Sequence, residues 1–95
     1  MIAQKTLYRR AIGVPSRTVA DRVILARPDR DDFDALTGPA VAIWKLLQEP
    51  RSLAELVDTL VWAYHAPRAE IERDVRTLLD DLVERGLVAE GSPDA

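Results

Sequence analysis

Three prolines and one glycine cut the second half of this chain into three helix-sized pieces: Pro39, Pro50, Pro67 and Gly86. Proline is tolerated in the first turn of a helix and breaks its interior, and glycine favours its exit. Between Pro39 and Pro50, residues Ala40, Ile43, Trp44 and Leu47 fall at i, i+3, i+4 and i+7. This predicts a helix over about 38–48 with one buried stripe. Thr37 or Gly38 can cap it, Pro39 sits in its first turn, and Pro50 stops it. A second helix is predicted over about 53–64. Ser52 and Glu55 have the spacing of a capping box, in which each side chain satisfies a free backbone donor of the other residue. Its apolar face is Leu53, Leu56, Val57, Leu60, Val61 and Tyr64. The third helix, over about 67–85, has Pro67 at its first position and Gly86 as its stop. Its apolar positions Ile71, Val75, Leu78, Leu79, Leu82 and Val83 cover an arc of roughly 140°. One packing seam needs less than that.

The first half reads as strands. Arg17-Thr18-Val19-Ala20 and Val23-Ile24-Leu25-Ala26 flank a possible two-residue turn at Asp21-Arg22. A polar turn at Pro28-Asp29-Arg30-Asp31 leads to Phe33-Asp34-Ala35-Leu36, whose alternation suits a strand with one buried face. The expected fold class is α+β, a three-stranded antiparallel meander followed by three helices, in a winged helix-turn-helix-like arrangement. Residues 1–16 read as an N-terminal arm or short strand, with Leu7, Tyr8, Ala11 and Ile12 ahead of the break at Gly13-Val14-Pro15-Ser16. Leu87-Val88-Ala89 can add a short final strand. The expected domain is 17–90, with 91–95 a disordered tail.

Composition removes several function classes. The chain has 95 residues, 47% of them hydrophobic, which supports one small core. It has no cysteine and one histidine, so disulfide scaffolds, thiolate zinc sites, cysteine nucleophiles and multi-histidine metal sites are excluded. The net charge is −3. No apolar run reaches a membrane span, and Met1-Ile2-Ala3-Gln4-Lys5 lacks an apolar signal-peptide core. A cytoplasmic protein without membrane attachment is expected.

No residue set composes an active site. His65 has no nucleophile pattern around it and reads as a surface residue. Asp31, Asp32 and Asp34 cluster before the third strand but lack the glycine and distal glutamate of a calcium loop, so turn chemistry and edge protection explain them. Asp80, Asp81 and Glu84 read as a solvated face. There is no phosphate-binding glycine loop. No catalytic residue, metal or cofactor is expected. The helix pattern also suits a DNA-binding winged helix. However, the third helix carries Glu70, Glu72, Asp74, Asp80, Asp81 and Glu84 against Arg68, Arg73, Arg76 and Arg85. A net-acidic helix repels phosphate, so no nucleic-acid partner is expected.

One feature remains open. A meander has two edges, and one can lie beside the long third helix. If the wide apolar arc exceeds what the core covers, edge and helix form a groove that accepts an extended peptide as a further strand. The alternative is a capped edge and a stripe fully used in the core. Periodicity does not separate them.

The ordered series Leu36-Thr37-Gly38-Pro39-Ala40, Ile43-Trp44, Leu53 to Tyr64, Glu70-Ile71-Glu72-Arg73-Asp74-Val75 and Leu82-Val83-Glu84-Arg85-Gly86-Leu87-Val88 resembles the PqqD-like family. These are recognition elements of ribosomally made, post-translationally modified peptides. The form Leu-Thr-Gly-Pro-Ala followed by Ile-Trp is most similar to the stand-alone leader-binding proteins of lasso-peptide clusters. The pyrroloquinoline-quinone members, which present a precursor to a radical-SAM enzyme, more often carry an asparagine-containing form there. Pro67 departs from the pattern, standing where a Ser or Asp cap would complete a box with Glu70. The resemblance implies a non-catalytic adaptor that binds a precursor's leader peptide as an added strand on the third strand, against the third helix. Carried over to this chain, the strand residues are Phe33, Asp34, Ala35 and Leu36. The helix residues are Val75, Leu78, Leu79 and Leu82, with Arg76 as a polar flank. The implied partners are the leader, often with a Tyr-x-x-Pro motif, a transglutaminase-like leader peptidase and a cyclase.

Overall fold

The structure is a computed structural model that describes residues 6–27 and 31–91. In chain order its elements are β1 (Leu7–Arg10), β2 (Ser16–Val19), β3 (Arg22–Ala26), β4 (Phe33–Leu36), α1 (Pro39–Leu46), β5 (Arg51–Ser52), α2 (Leu53–Tyr64), α3 (Arg68–Glu84) and β6 (Val88–Gly91). The class is α+β, with three helices and two antiparallel sheets. The predicted polar turn lies largely outside the described residues, at 28–30, as do residues 92–95 of the predicted tail.

The predicted meander is present as the sheet β2-β3-β4. Its first turn is displaced by one residue from the sequence reading. Val19 pairs with Arg22, so the loop is Ala20-Asp21 rather than Asp21-Arg22. Ala20 takes a φ of 56°, a left-handed conformation that costs a residue with a Cβ roughly 1–2 kcal/mol. The shift takes Ser16 into the strand, where its hydroxyl accepts a 3.3 Å hydrogen bond from the Trp44 indole.

The second sheet has the order β5-β1-β6, with both pairings antiparallel. Periodicity left residues 1–16 ambiguous because β1 has no local partner. It is held by β6, about 80 residues away in sequence, through pairs from Leu7↔Gly91 to Arg10↔Val88. Arg10 fixes its end: Nε and Nη2 donate to the Trp44 carbonyl at 3.0 and 2.6 Å, and the guanidinium lies 4.5 Å from the centroid of the Trp44 ring. Trp44 therefore joins β1, α1 and β2, which accounts for its burial to 2% exposure.

The helices follow their signals closely. Gly38 is the N-cap of α1, with φ 60° and ψ −137°, a conformation open essentially to glycine alone. This lets the chain turn from β4 straight into a helix that begins on Pro39. The capping box of α2 is complete: Ser52 N–H donates to Glu55 Oε1 at 2.9 Å, and Glu55 N–H to Ser52 Oγ at 3.2 Å. His65 ends α2 as a left-handed cap, φ 56°, with its N–H donating to the Val61 carbonyl. Pro67 is the N-cap of α3 and supplies no side-chain hydrogen bond, one place before its predicted position. At the other end, Gly86 N–H donates to the Val83 carbonyl and Leu87 N–H to the Leu82 carbonyl, a Schellman ending that directs the chain into β6.

The core is one cluster drawn from both halves. Val23, Leu25 and Leu36 come from the first sheet, and Ile43, Trp44 and Leu47 from α1. Leu56, Val57 and Leu60 come from α2, Val75, Leu79 and Leu82 from α3, and Leu87 and Val88 from the α3–β6 turn. On α3 the buried set Val75, Leu79 and Leu82 is a single seam. Ile71, Leu78 and Val83 flank it, only partly covered. That is where the excess apolar arc goes.

Candidate functional site

Within its sheet, β4 has a neighbour on one side only, β3. The register is Val23↔Leu36, Ile24↔Ala35, Leu25↔Asp34 and Ala26↔Phe33. Amides along a strand point alternately to its two sides. Phe33 and Ala35 therefore serve one side of β4 and Asp34 and Leu36 the other, and one of these pairs faces outward.

The α3 segment meets the β4–α1 segment at two places. At the start of β4, Asp34 Oδ2 lies 2.7 Å from Arg27 Nε. Its other oxygen lies 3.7 Å from Arg85 Nη1, at the end of α3. Arg27 also donates from Nη1 to the Arg85 carbonyl at 2.7 Å. Past the end of β4, Pro39 lines a concavity of about 310 Å³ together with Leu60, Tyr64, Ala66, Ile71, Asp74, Val75 and Leu78. The space between β4 and α3 is thus marked at one end by the Arg27–Asp34–Arg85 cluster and at the other by the apolar concavity, and we refer to it as the cleft.

The residues singled out from the sequence divide into three groups. Phe33 and Ala35 are exposed on the sheet face away from the core, and Phe33 lines a separate concavity of about 390 Å³ with Pro15, Val19, Ile24 and Ala26. Leu36, Val75, Leu79 and Leu82 are buried to 4% exposure or less and form the floor beneath the cleft. Asp34 belongs to the charged cluster at one end, and Leu78, with Val75, lines the concavity at the other. Arg76 does not flank the cleft. It lies ~200° around α3 from both Asp74 and Leu78, since each residue turns the helix by 100°. There it lines a different concavity, with Thr6, Tyr8, Ser52, Leu53, Ala54 and Glu72. On that side the Tyr8 hydroxyl is pushed above its ordinary pKa, first by burial and then by the Glu90 and Asp80 carboxylates, with Arg76 opposing them.

Tyr64 and Asp74 were not singled out as site residues. Tyr64 falls at the expected helical spacing for the core face of α2. It is 51% exposed, at the last residue of α2. Asp74 looks like any other acid of a solvated face until Leu60 and Ile71 are placed around it. Among the described residues, no group of three or more His, Cys, Asp or Glu could hold a metal ion, and no helix is long and apolar enough to cross a membrane.

Comparison with known proteins agrees with this architecture. TbiB1 in complex with the TbiA(beta) leader peptide superposes with a TM-score of 0.77 at 29% identity, covering 84% of this chain and 93% of that one. The PqqD truncation of Methylobacterium extorquens PqqCD is described as a functional, stand-alone recognition element for ribosomally synthesized and post-translationally modified peptides. It gives a TM-score of 0.71 at 26% identity, covering 87% and 88% of the two chains. A lasso peptide synthetase B1 complexed with its leader peptide shares the fold, with a TM-score of 0.74 at 22% identity over 86% of this chain and 96% of that one. In sequence, the PqqA binding protein of Rhodopseudomonas palustris strain HaA2 is 45% identical over 51 residues, 54% of this chain and 50% of its own length. Its counterpart from strain TIE-1 is 43% identical over 51 residues, with the same coverage. The chain thus spans about half the length of the curated relatives it matches. The family model for Coenzyme PQQ synthesis protein D (PqqD) matches residues 22–88, well over half of the sequence, and the chain belongs to the PqqD family.

Proposed function

We propose that this chain is a non-catalytic adaptor that binds the leader of a ribosomally made precursor peptide as an added antiparallel strand on β4. It then delivers the precursor to maturation enzymes, beginning with a leader peptidase. The observation that carries this reading is the pairing of a one-sided edge strand with an apolar cleft against α3. The edge supplies main-chain donors and acceptors in register, and the cleft takes alternate side chains. TbiB1, the relative described above with a leader peptide, supports the same use of this fold.

Within that function we favour the lasso type. The Leu36-Thr37-Gly38-Pro39-Ala40 turn, with Ile43-Trp44 after it, is most similar to the stand-alone leader-binding proteins of lasso clusters. The partners on this reading are a transglutaminase-like peptidase and a cyclase. The relatives named PqqA binding protein favour a second reading, presentation of a precursor to a radical-SAM enzyme of quinone biosynthesis. Titrating the protein against fluorescent leaders of both kinds separates them. The lasso reading expects tight binding of a leader with a Tyr-x-x-Pro motif and weak binding of a PqqA peptide, and the reverse order overturns it. Mass spectrometry of a precursor incubated with this protein alone should show no cleavage or modification. The peptidase should cleave faster when the protein is added, because tethering raises local substrate concentration.

A further inference from the structure

The concavity at the open end of the cleft combines three features that point to one kind of side chain. Its walls are hydrocarbon: Pro39, Leu60, Ala66, Ile71, Val75 and Leu78. Its one charged lining group among the described residues is the Asp74 carboxylate. Its one aromatic lining group is the Tyr64 ring. A carboxylate and the face of an aromatic ring both attract a cation, and apolar walls suit a long aliphatic stem. Asp74 is poorly engaged in the free protein. Its ionic contact is Arg73 Nε at 3.7 Å, with both side chains more than half exposed. Adjacent residues on a helix do not face each other, so that contact is readily given up. The surrounding field has the same sign, because α3 carries six acidic and three basic residues.

We infer that this concavity selects an arginine or lysine of the bound peptide, its stem against Leu60, Ile71 and Leu78 and its charge between Asp74 and Tyr64. The inference rests on the proposed strand addition at β4 and adds a rule for the peptide's sequence: a basic residue where the strand passes Pro39. An exposed ion pair together with a cation–π contact corresponds to about a five- to tenfold preference for a basic over a neutral residue of the same length.

Randomised peptides displayed on phage and selected on the full chain provide the test. Selected peptides are resynthesised with lysine, norleucine or glutamate at the most enriched position. Their affinities are then measured by fluorescence anisotropy against the wild type, Asp74→Asn, Asp74→Lys, Tyr64→Leu, Asp34→Pro and Ala35→Pro. Asp74 and Tyr64 are exposed, and circular dichroism of their variants checks the fold before affinities are compared. The expected results are enrichment of Arg or Lys at one position, an order of lysine over norleucine over glutamate in the wild type, loss of the lysine advantage in Asp74→Asn, and inversion in Asp74→Lys. Tyr64→Leu should reduce the lysine advantage while norleucine binds as before. Selected peptides without a basic position, a neutral aromatic at that position, or a lysine preference that survives Asp74→Lys would each overturn the inference. If such peptides still lose affinity with one of the two proline variants, strand addition stands and only the selection rule fails. If neither proline variant weakens binding, or no peptide is recovered, strand addition fails and the inference falls with it.

Discussion

Strands β2 and β4 are the two edges of the same sheet, and each has a row of main-chain groups without a strand partner. Their surroundings differ. All four residues of β2 are exposed, and Arg17 beside Val19 gives that edge the charge that discourages unplanned pairing. In β4, Leu36 is buried, Asp34 is fixed between Arg27 and Arg85, and just past the strand's end Pro39 lines an apolar concavity with Ile71, Val75 and Leu78 of α3. An edge by itself offers backbone hydrogen bonds that any extended chain can satisfy. A wall beside the edge adds pockets, and pockets read side chains. The proposed recognition edge is therefore β4, and β2 serves as the comparison edge.

The largest expected effect separates the wall from the core beneath it. Leu79 is 1% exposed, so Leu79→Asp buries a carboxylate without a partner and should cost several kcal/mol, on the order of the whole stability of a domain this size. Loss of helical circular dichroism at room temperature checks it. Leu78, the next residue, borders the cleft and is partly exposed. Leu78→Asp should keep the fold and abolish leader binding. A folded Leu78→Asp that binds normally would show that the wall is elsewhere.

Next in size is the contrast between the edges. Proline removes one amide donor. Of Asp34→Pro and Ala35→Pro, the one whose amide points outward should weaken leader binding by about 1–3 kcal/mol, leaving a peptide carbonyl unpaired, and its neighbour should destabilise the sheet instead. At β2, neither Arg17→Pro nor Thr18→Pro should change binding in molecules that remain folded. Calorimetric titration and thermal melts of the four variants give both readings.

Much of this was legible in the sequence. The capping box at Ser52, the stop at Gly86 and the spacing of Ile43, Trp44 and Leu47 are local signals, and each appears where expected. The strand Phe33–Leu36 was also legible from its alternation. The second sheet was not, because β1 depends on β5 and β6, whose distance in sequence hides the pairing. The cleft was half legible. An apolar arc wider than one seam signalled surplus surface on α3, but periodicity cannot say which flank a neighbouring strand will meet. The resemblance puts Arg76 beside the groove, whereas it lines the concavity at Tyr8, and the concavity at Pro39 is lined by Asp74 and Tyr64.

Two smaller effects sharpen the comparison. Arg27→Ala leaves Asp34, whose side chain is 15% exposed, with the more distant Arg85 as its cation. It should cost about 1–3 kcal/mol of stability, the range for leaving a buried polar group unsatisfied, and a urea melt measures it. Ala20→Gly relieves the positive φ in the β2–β3 turn and should stabilise the protein by about 0.5–1 kcal/mol. It lies on the β2 side, so leader affinity should not move.

The central claim, addition of a peptide strand to β4, is tested most directly by amide hydrogen exchange with and without a bound leader. The account predicts that exchange slows at alternate residues of Phe33–Leu36, either Phe33 and Ala35 or Asp34 and Leu36, while Ser16–Val19 is unchanged. Slowing confined to β2, or spread along α2 with β4 unaffected, would contradict it.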